Sequence, residues 1–185
     1  MPHNGKEKKN SPTVVLHVCC GVCLFSPVQR LREQKYHVTG LFCNPNIHPL
    51  QEYERRYAAA SLMAEKISLP LIKTREDRRT WRSLCEPYAN DPEGGTRCGM
   101  CYHVRLRAAY AHMLTGGYDF FTTTLTVSPH KGSERVFEAG QRIGGERFLK
   151  IDFKKQNGFK KTMDAAREYA LYRQNYCGCE YSKTA

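Results

Sequence analysis

The sequence predicts an α/β fold with a mostly parallel sheet. Two observations carry this. Short runs rich in β-branched and aromatic residues alternate with segments of helical spacing along the chain. Its 185 residues also suit one domain with a full hydrophobic core, with no internal repeat and no sign of a second domain. Residues 1–12 are polar and basic, lack an apolar leader segment and read as a disordered tail ahead of a domain at 13–185. No run approaches the length of a membrane span.

The elements follow in order. Thr13-Val14-Val15-Leu16-His17-Val18 is a β-rich apolar run that ends at Cys19 and reads as a buried strand. Leu24, Val28 and Leu31 share one face of a helix over 24–34, and 36–43 is a second strand. Two prolines and two asparagines make 44–49 a loop. A helix over 50–67, a short strand at 69–73 and a helix over 77–84 come next. A flexible loop at 87–95 delivers Arg97 and Cys98, and a helix over 101–115 stops at Gly116-Gly117. Residues 118–122 form a fourth strand. Ser128-Pro129 has the pattern of an N-cap followed by proline at the first helical position, which opens a helix over 129–143. A fifth strand at 147–150 and a last helix over 162–172 complete the chain. Ligands of such sheets bind beyond the carboxyl ends of the strands. Cys19 and Cys20, Cys43 and Asn44, and residues 122–128 therefore converge on one crevice.

The formal net charge is +11, from 29 Lys and Arg against 18 Asp and Glu. Basic residues recur beside the cysteines: Arg97, Arg105 and Arg107, then Lys154, Lys155, Lys160, Lys161 and Arg173. That distribution points to a polyanion such as nucleic acid rather than to a merely solubilising surface. Nine cysteines, with no apolar leader, read as ligands or catalysts in a reducing cytoplasm rather than as cross-links.

Seven of the nine cysteines fall into three clusters: Cys19-Cys20-x-x-Cys23, Cys98-x-x-Cys101 and Cys177-x-Cys179. The first runs from a strand into a helix N-terminus, where partial positive charge favours thiolate. Adjacent residues of a strand point to opposite sides, so Cys19 and Cys20 are expected to serve different atoms, or one of them to be a buried apolar residue. Cys98-Gly99-Met100-Cys101 is expected just ahead of a helix; its spacing serves zinc, iron–sulfur clusters and redox couples alike. The first cluster is not a clean zinc knuckle, which favours iron–sulfur. Cys177 and Cys179, one glycine apart, can form only a strained and therefore labile disulfide, or both can be metal ligands. Cys43 and Cys85 read as ordinary buried cysteines.

Six motifs occur in order: His17-Val18-Cys19-Cys20-x-x-Cys23; Asn44-Pro45-Asn46-Ile47-His48-Pro49; Arg97-Cys98-x-x-Cys101-Tyr102; Phe121-Thr122-Thr123-Thr124-Leu125-x-x-Ser128-Pro129; Asp152-Phe153-Lys154-Lys155; and Leu171-Tyr172-Arg173-Gln174-x-Tyr176-Cys177-Gly178-Cys179. Together they resemble the non-cobalamin epoxyqueuosine reductases, the QueH family, over about 14–182. The resemblance implies a Rossmann-like fold akin to the nucleotide α-hydrolases. It also implies reduction of the epoxide of epoxyqueuosine, at the wobble position of a tRNA anticodon, to the cyclopentene of queuosine. It implies a [4Fe–4S] cluster with an adjacent mononuclear iron. Cys98 and Cys101, with Cys19 or Cys20, would hold the cluster; the remaining thiol of that pair and Cys23 would hold the iron. Two positions depart from the pattern: Cys43 stands where an aromatic residue is usual, and Cys23 where some members carry Asp.

The reaction needs two electrons and two protons. Cys177 and Cys179 are candidates to store or relay the electrons by cycling between dithiol and disulfide, the competing role being a cover over the site; an external electron donor is required. His17, Tyr102, Asp152 and Tyr176 are the candidate proton donors, His17 reading better as a core histidine. The hydroxyls of Thr122–Thr124 and Ser128 either hold the base or a phosphate or cap strand ends. Arg97, Lys131, Lys154, Lys155 and Arg173 are candidate phosphate contacts to an RNA loop. Two rivals remain at this level. An ATP-using tRNA thiolation enzyme would want a Ser-Gly-Gly-x-Asp-Ser loop where Cys19-Cys20-Gly21-Val22-Cys23 stands. A zinc-stabilised RNA-binding module would be colourless.

Overall fold

A computed structural model describes residues 11–182, so all but Ser11 and Pro12 of the expected N-terminal tail lies outside the described residues. Strands β1 (Thr13–Val18), β2 (His37–Phe42), β3 (Leu71–Lys73) and β4 (Phe120–Thr123) form one parallel sheet in the order β3-β2-β1-β4. The helices are α1 (Phe25–Glu33), α2 (Leu50–Lys66), α3 (Arg78–Cys85), α4 (Thr96–Thr115), α5 (Ser133–Gly144) and α6 (Gly158–Glu168). This is the α/β, Rossmann-like architecture expected of the sequence. A parallel sheet must be covered on both faces, and β1 shows why its run is almost wholly apolar. Val14, Leu16 and Val18 enter a core with Val28 and Leu31 of α1, Met63 of α2 and Ala165 of α6. Val15 enters the opposite core with Leu106 and Met113 of α4 and Val136 of α5.

Strand order changes direction at β1. The chain goes from β1 outward to β2 and β3, then returns to the other side of β1 as β4. The crevice of such a sheet opens at that switch, beyond the carboxyl ends of β1 and β4. Cys19 follows β1 directly and Thr124 follows β4 directly, so sequence order alone carries them to the same place.

Four expectations are corrected. The proposed strand at 147–150 is a single parallel bridge between Phe121 and Phe148. The hydroxyls of Thr122 and Thr126 take the carbonyls of Leu149 and Ile151 at 2.9 and 2.8 Å, replacing a backbone ladder there. The fifth helix starts at Ser133 rather than near Pro129, because Ser128 Oγ accepts the His130 N–H in a local turn and Gly132 precedes the helix. The last helix begins at Gly158 and ends at Glu168, bounded by left-handed Gln156 and Asn157 before it and Ala170 after it. The Cys98–Cys101 pair lies inside α4 instead of ahead of it. Asp91 Oδ2 accepts the N–H groups of Thr96 and Arg97 at 2.8 and 3.3 Å, which starts the helix early.

Candidate active site

The chain leaves β1 and turns sharply through Cys19-Cys20-Gly21. A Cβ at Gly21 would stand 2.3 Å from the carbonyl carbon of Ala59, so only glycine lets α2 press against this turn. The sulfurs of Cys19, Cys20 and Cys23 all lie within 4.8 Å of one another, and those of Cys19 and Cys20 are 3.7 Å apart. Strand alternation does not separate this pair, contrary to expectation, because the strand ends at Val18 and the pleat ends with it. The three thiols form a group that can bind a metal ion.

The trio shares its charge unequally. Thiol donors from Cys20 and Cys23 hold Cys19 well below the usual thiol range against the opposing effect of burial, helped by the Arg105 charge and the Thr124 hydroxyl. Thr124 Oγ1 accepts the Cys19 N–H at 3.0 Å and donates to Cys19 Sγ at 3.1 Å. The hydrogen bond to Cys19 is the main cause that pushes Cys20 up to about 12; Cys23 is raised by its bonds to Cys19 and Cys20. Cys19 is therefore the thiolate of the group.

Arg105 tests whether anionic sulfur belongs here. Its side chain is buried in α4, and Asn44 Oδ1 accepts from it at 2.6 Å. Asn44 is fixed in turn by donating from Nδ2 to the Val18 carbonyl at 2.9 Å and from its backbone N–H to Glu76 Oε1 at 2.8 Å. Among the described residues no carboxylate forms an ion pair with Arg105, and its Nε has no partner. Burial opposes its charge, while Cys101 and Cys19 sustain it. A buried guanidinium without a carboxylate needs some other anion. Cys19 and Cys101 are the groups that face it, so the donor set fits metal-bound thiolates on both sides of Arg105.

Cys98 and Cys101 project from the first two turns of α4, whose leading N–H groups are taken by Asp91 Oδ2 and the Gly95 carbonyl. The Gly94 N–H donates to Cys98 Sγ at 3.2 Å. Cys177 and Cys179 arrive on the C-terminal segment. Arg56, 3% exposed, holds that segment down: Nη1 and Nη2 donate to the carbonyls of Cys177 and Tyr176 at 3.0 Å each, while Nε pairs with Glu52 at 2.7 Å. Gly178 turns between the two cysteines at φ +97°, a left-handed conformation that favours glycine. All nine cysteines are free thiols. The Cys179 thiol is the largest influence that lowers Cys177, to about 5, with the Ser182 hydroxyl and the Cys179 N–H adding to it against burial; Cys179 is raised.

Two adjoining cavities unite these groups. The larger, about 700 Å³, has Cys19, Cys23 and Cys177 in its lining; the smaller has Cys98, Cys101, Cys177 and Cys179. Arg105, Lys131 and Glu93 line both. The size of the larger cavity suits a modified nucleobase.

Other sequence candidates fall into place around them. Lys131 and Arg173 line the larger cavity, and Lys155 is exposed nearby in sequence. Arg97 is buried and donates to the carbonyls of Ala89 and Asp91 at 2.5 and 2.6 Å, which folds the 86–95 loop. Lys154 donates to Ser133 Oγ at 2.5 Å and pairs with Asp152 at 3.2 Å. Both of these cations are engaged within the protein. The Thr122–Thr124 hydroxyls are likewise internal. His17 lies wholly buried between Thr123 Oγ1 at 2.8 Å and the Cys43 carbonyl at 3.1 Å. The carbonyl can only accept, so Nε2 carries the proton and Nδ1 accepts from Thr123. Tyr102 lines the smaller cavity and Tyr176 the larger, whereas Asp152 lines neither. Cys43, beside Glu76, and Cys85 are both buried, and burial pushes each up to about 12. Sequence reading missed the roles of Asn44 and Arg56; for Arg56 the signal was the Glu52–Arg56 spacing on a helix.

Fold and site together define a Rossmann-like α/β protein with a thiol centre at the switch point of its sheet, the class of a metal–thiolate or thiol-redox enzyme. The family model described as epoxyqueuosine reductase QueH matches residues 14–185. A relative from Streptococcus pyogenes serotype M1, named epoxyqueuosine reductase QueH, is 34% identical over 92% of this chain and 70% of its own length. Relatives of the same name from Thermotoga maritima and Acinetobacter baylyi are 32% and 29% identical, over 92% and 96% of this chain and 90% and 83% of theirs. The chain belongs to the epoxyqueuosine reductase QueH family and is an oxidoreductase. Among the described residues no helix is long and apolar enough to cross a membrane.

Proposed function

We propose that this protein reduces the epoxide of epoxyqueuosine in a tRNA anticodon loop, yielding the cyclopentene of queuosine and water, in the cytoplasm. The observation that carries the reading is a thiol trio, two of whose members, Cys19 and Cys23, line a nucleobase-sized cavity, in a chain that matches this family across nearly its whole length. Cys98 and Cys101, with Cys19 or Cys20, would hold a [4Fe–4S] cluster; the remaining thiol of that pair and Cys23 would hold an adjacent iron. When bound, these groups supply single-electron transfer and Lewis acidity toward an oxygen.

The chain's own residues do the rest. Arg105 balances thiolate charge between Cys19 and Cys101. Cys177 as thiolate and Cys179 as thiol, delivered to the cavities by Arg56, pass to the disulfide, releasing two electrons and one proton. The epoxide takes up both electrons, that proton and a second proton from solvent, and loses its oxygen as water; an external electron donor restores the reduced pair. Lys131, Lys155 and Arg173 remain as phosphate contacts. Arg97 and Lys154 do not: Arg97 is buried with Nη1 on the carbonyls of Ala89 and Asp91, and Lys154 Nζ is held by Ser133 and Asp152.

The test is anaerobic purification with iron and sulfide analysis, followed by turnover on tRNA bearing the epoxide. A brown protein with about four sulfides, more iron than sulfide and formation of queuosine supports the reading. Colourless protein with zinc and no sulfide overturns it in favour of an RNA-binding module. RNA affinity should also fall steeply with salt.

A further inference from the structure

Phe159 is out of place for a core residue. It is 40% exposed, lies in the first turn of α6 and lines the larger cavity, onto which Cys19 and Cys23 also open. The other large exposed hydrophobic residues, Leu50, Leu62, Leu84 and Leu114, do not line it. Met163, one turn further along α6 and half-buried, continues the same apolar wall. The exposure does not come from a loose helix end. A Cβ at Gly158 would stand 1.9 Å from the carbonyl oxygen of the buried Phe153, so the start of α6 is pressed against the core. Phe159 is thus held in the open by a fixed backbone.

Its surroundings are basic. Lys160 and Lys161 follow it and are exposed. Lys131 and Arg173 line the cavity and form no ion pair among the described residues, with Glu93 the carboxylate among its described lining residues. An exposed aromatic ring on a rigid support beside an excess of cations is the arrangement that holds an unpaired base of single-stranded nucleic acid: the ring takes the base face and the cations take the backbone.

We infer that Phe159, backed by Met163, is the stacking platform for the unpaired nucleobase that enters this cavity, setting its plane so that its substituent faces Cys19 and Cys23. This rests on the RNA substrate proposed above and adds a base-positioning residue that touches the substrate.

The experiment is a binding cycle on the metal-loaded protein, using an anticodon stem–loop RNA with either a guanine or an abasic site at the wobble position. Phe159→Ala should weaken binding of the intact loop by roughly 5- to 150-fold, the span of one base–aromatic stack. The slope of log affinity against log salt should stay as in the wild type, because stacking releases no counterions. Phe159→Trp should restore binding. The wild type should distinguish intact from abasic loop, and Phe159→Ala should not. Equal binding by the wild type and Phe159→Ala, or an undiminished abasic penalty in the variant, overturns the platform and leaves the RNA substrate standing. Failure of the wild type to bind either RNA overturns the substrate reading itself, and the platform with it.

Discussion

The hydroxyl of Thr124 binds Cys19 at both ends, accepting its N–H at 3.0 Å and donating to its sulfur at 3.1 Å. One side chain therefore ties the carboxyl end of β4 to the carboxyl end of β1 and stabilises negative charge on the sulfur. Thr124→Val keeps the shape and removes both bonds. A part-buried N–H is left unmatched, which should destabilise the fold by about 1 kcal/mol. In metal-free protein the Cys19 thiol should titrate higher. Denaturant unfolding reads the first effect, and the pH profile of Cys19 alkylation, followed by mass spectrometry, reads the second. An unchanged alkylation profile would show that Thr124 does not act on the sulfur.

Arg56 is the hinge pin between α2 and the segment that carries Cys177 and Cys179. Arg56→Met removes both carbonyl bonds and leaves Glu52 buried with only the Tyr172 hydroxyl at 2.6 Å. Stripping one partner from a buried ion pair costs about 3–5 kcal/mol. Glu52→Gln in the same chain should recover part of that loss. Hydrogen exchange over residues 171–182 should speed up in Arg56→Met far more than in α4. Uniform acceleration across the molecule would make Arg56 a general stabiliser and not an anchor of this segment.

Much of this was legible in the sequence, for reasons that differ between elements. Apolar runs at 13–18 and 118–122 gave their strands because period and composition are local, and the rule that parallel strands align their carboxyl ends brought Cys19, Asn44 and Thr124 to one crevice. The strand at 147–150 was not legible as a bridge, because the threonine hydroxyls that take its neighbouring carbonyls lie more than twenty residues away. Pleat alternation misplaced Cys19 and Cys20 because it applies only while the strand lasts. Arg97 and Lys154 looked like phosphate ligands because charge is visible in a sequence and the carbonyls that engage it are not. Phe159 drew no reading because the last helix was expected to begin at 162, beyond it, whereas α6 begins at Gly158.

His17 sets an acid limit on stability. Burial, reinforced by the Arg105 charge, lowers it from 6.5 to about 3. Between those values the unfolded chain binds a proton that the folded chain refuses, so unfolding is favoured as pH falls through that window and stability rises with pH across it. The slope is at most about 1.4 kcal/mol per pH unit. His17→Gln keeps a donor and an acceptor but cannot titrate. Unfolding of metal-free protein between pH 4 and 7 should show a shallower acid limb in the variant than in the wild type. Parallel limbs would mean that the histidine is protonated in the folded state.

The Cys177–Cys179 pair is arranged as an attacking thiolate beside a protonated partner. Cys177 accepts from the Cys179 thiol, from Ser182 and from the Cys179 N–H, and titrates at about 5. Above that pH it is anionic and its alkylation rate should be flat; below it the rate should fall tenfold per unit. Cys179→Ala removes the largest of these donors, so the half-point should move up toward the ordinary thiol range. Alkylation of Cys177 in dithiol protein, read by peptide mass, measures both curves. If the two cysteines also carry the reducing electrons, replacing both with serine should end multiple turnover while RNA still binds, because the cations of the cavity remain in place. Full turnover in that double variant would leave Cys177 an acidic thiol that only covers the site.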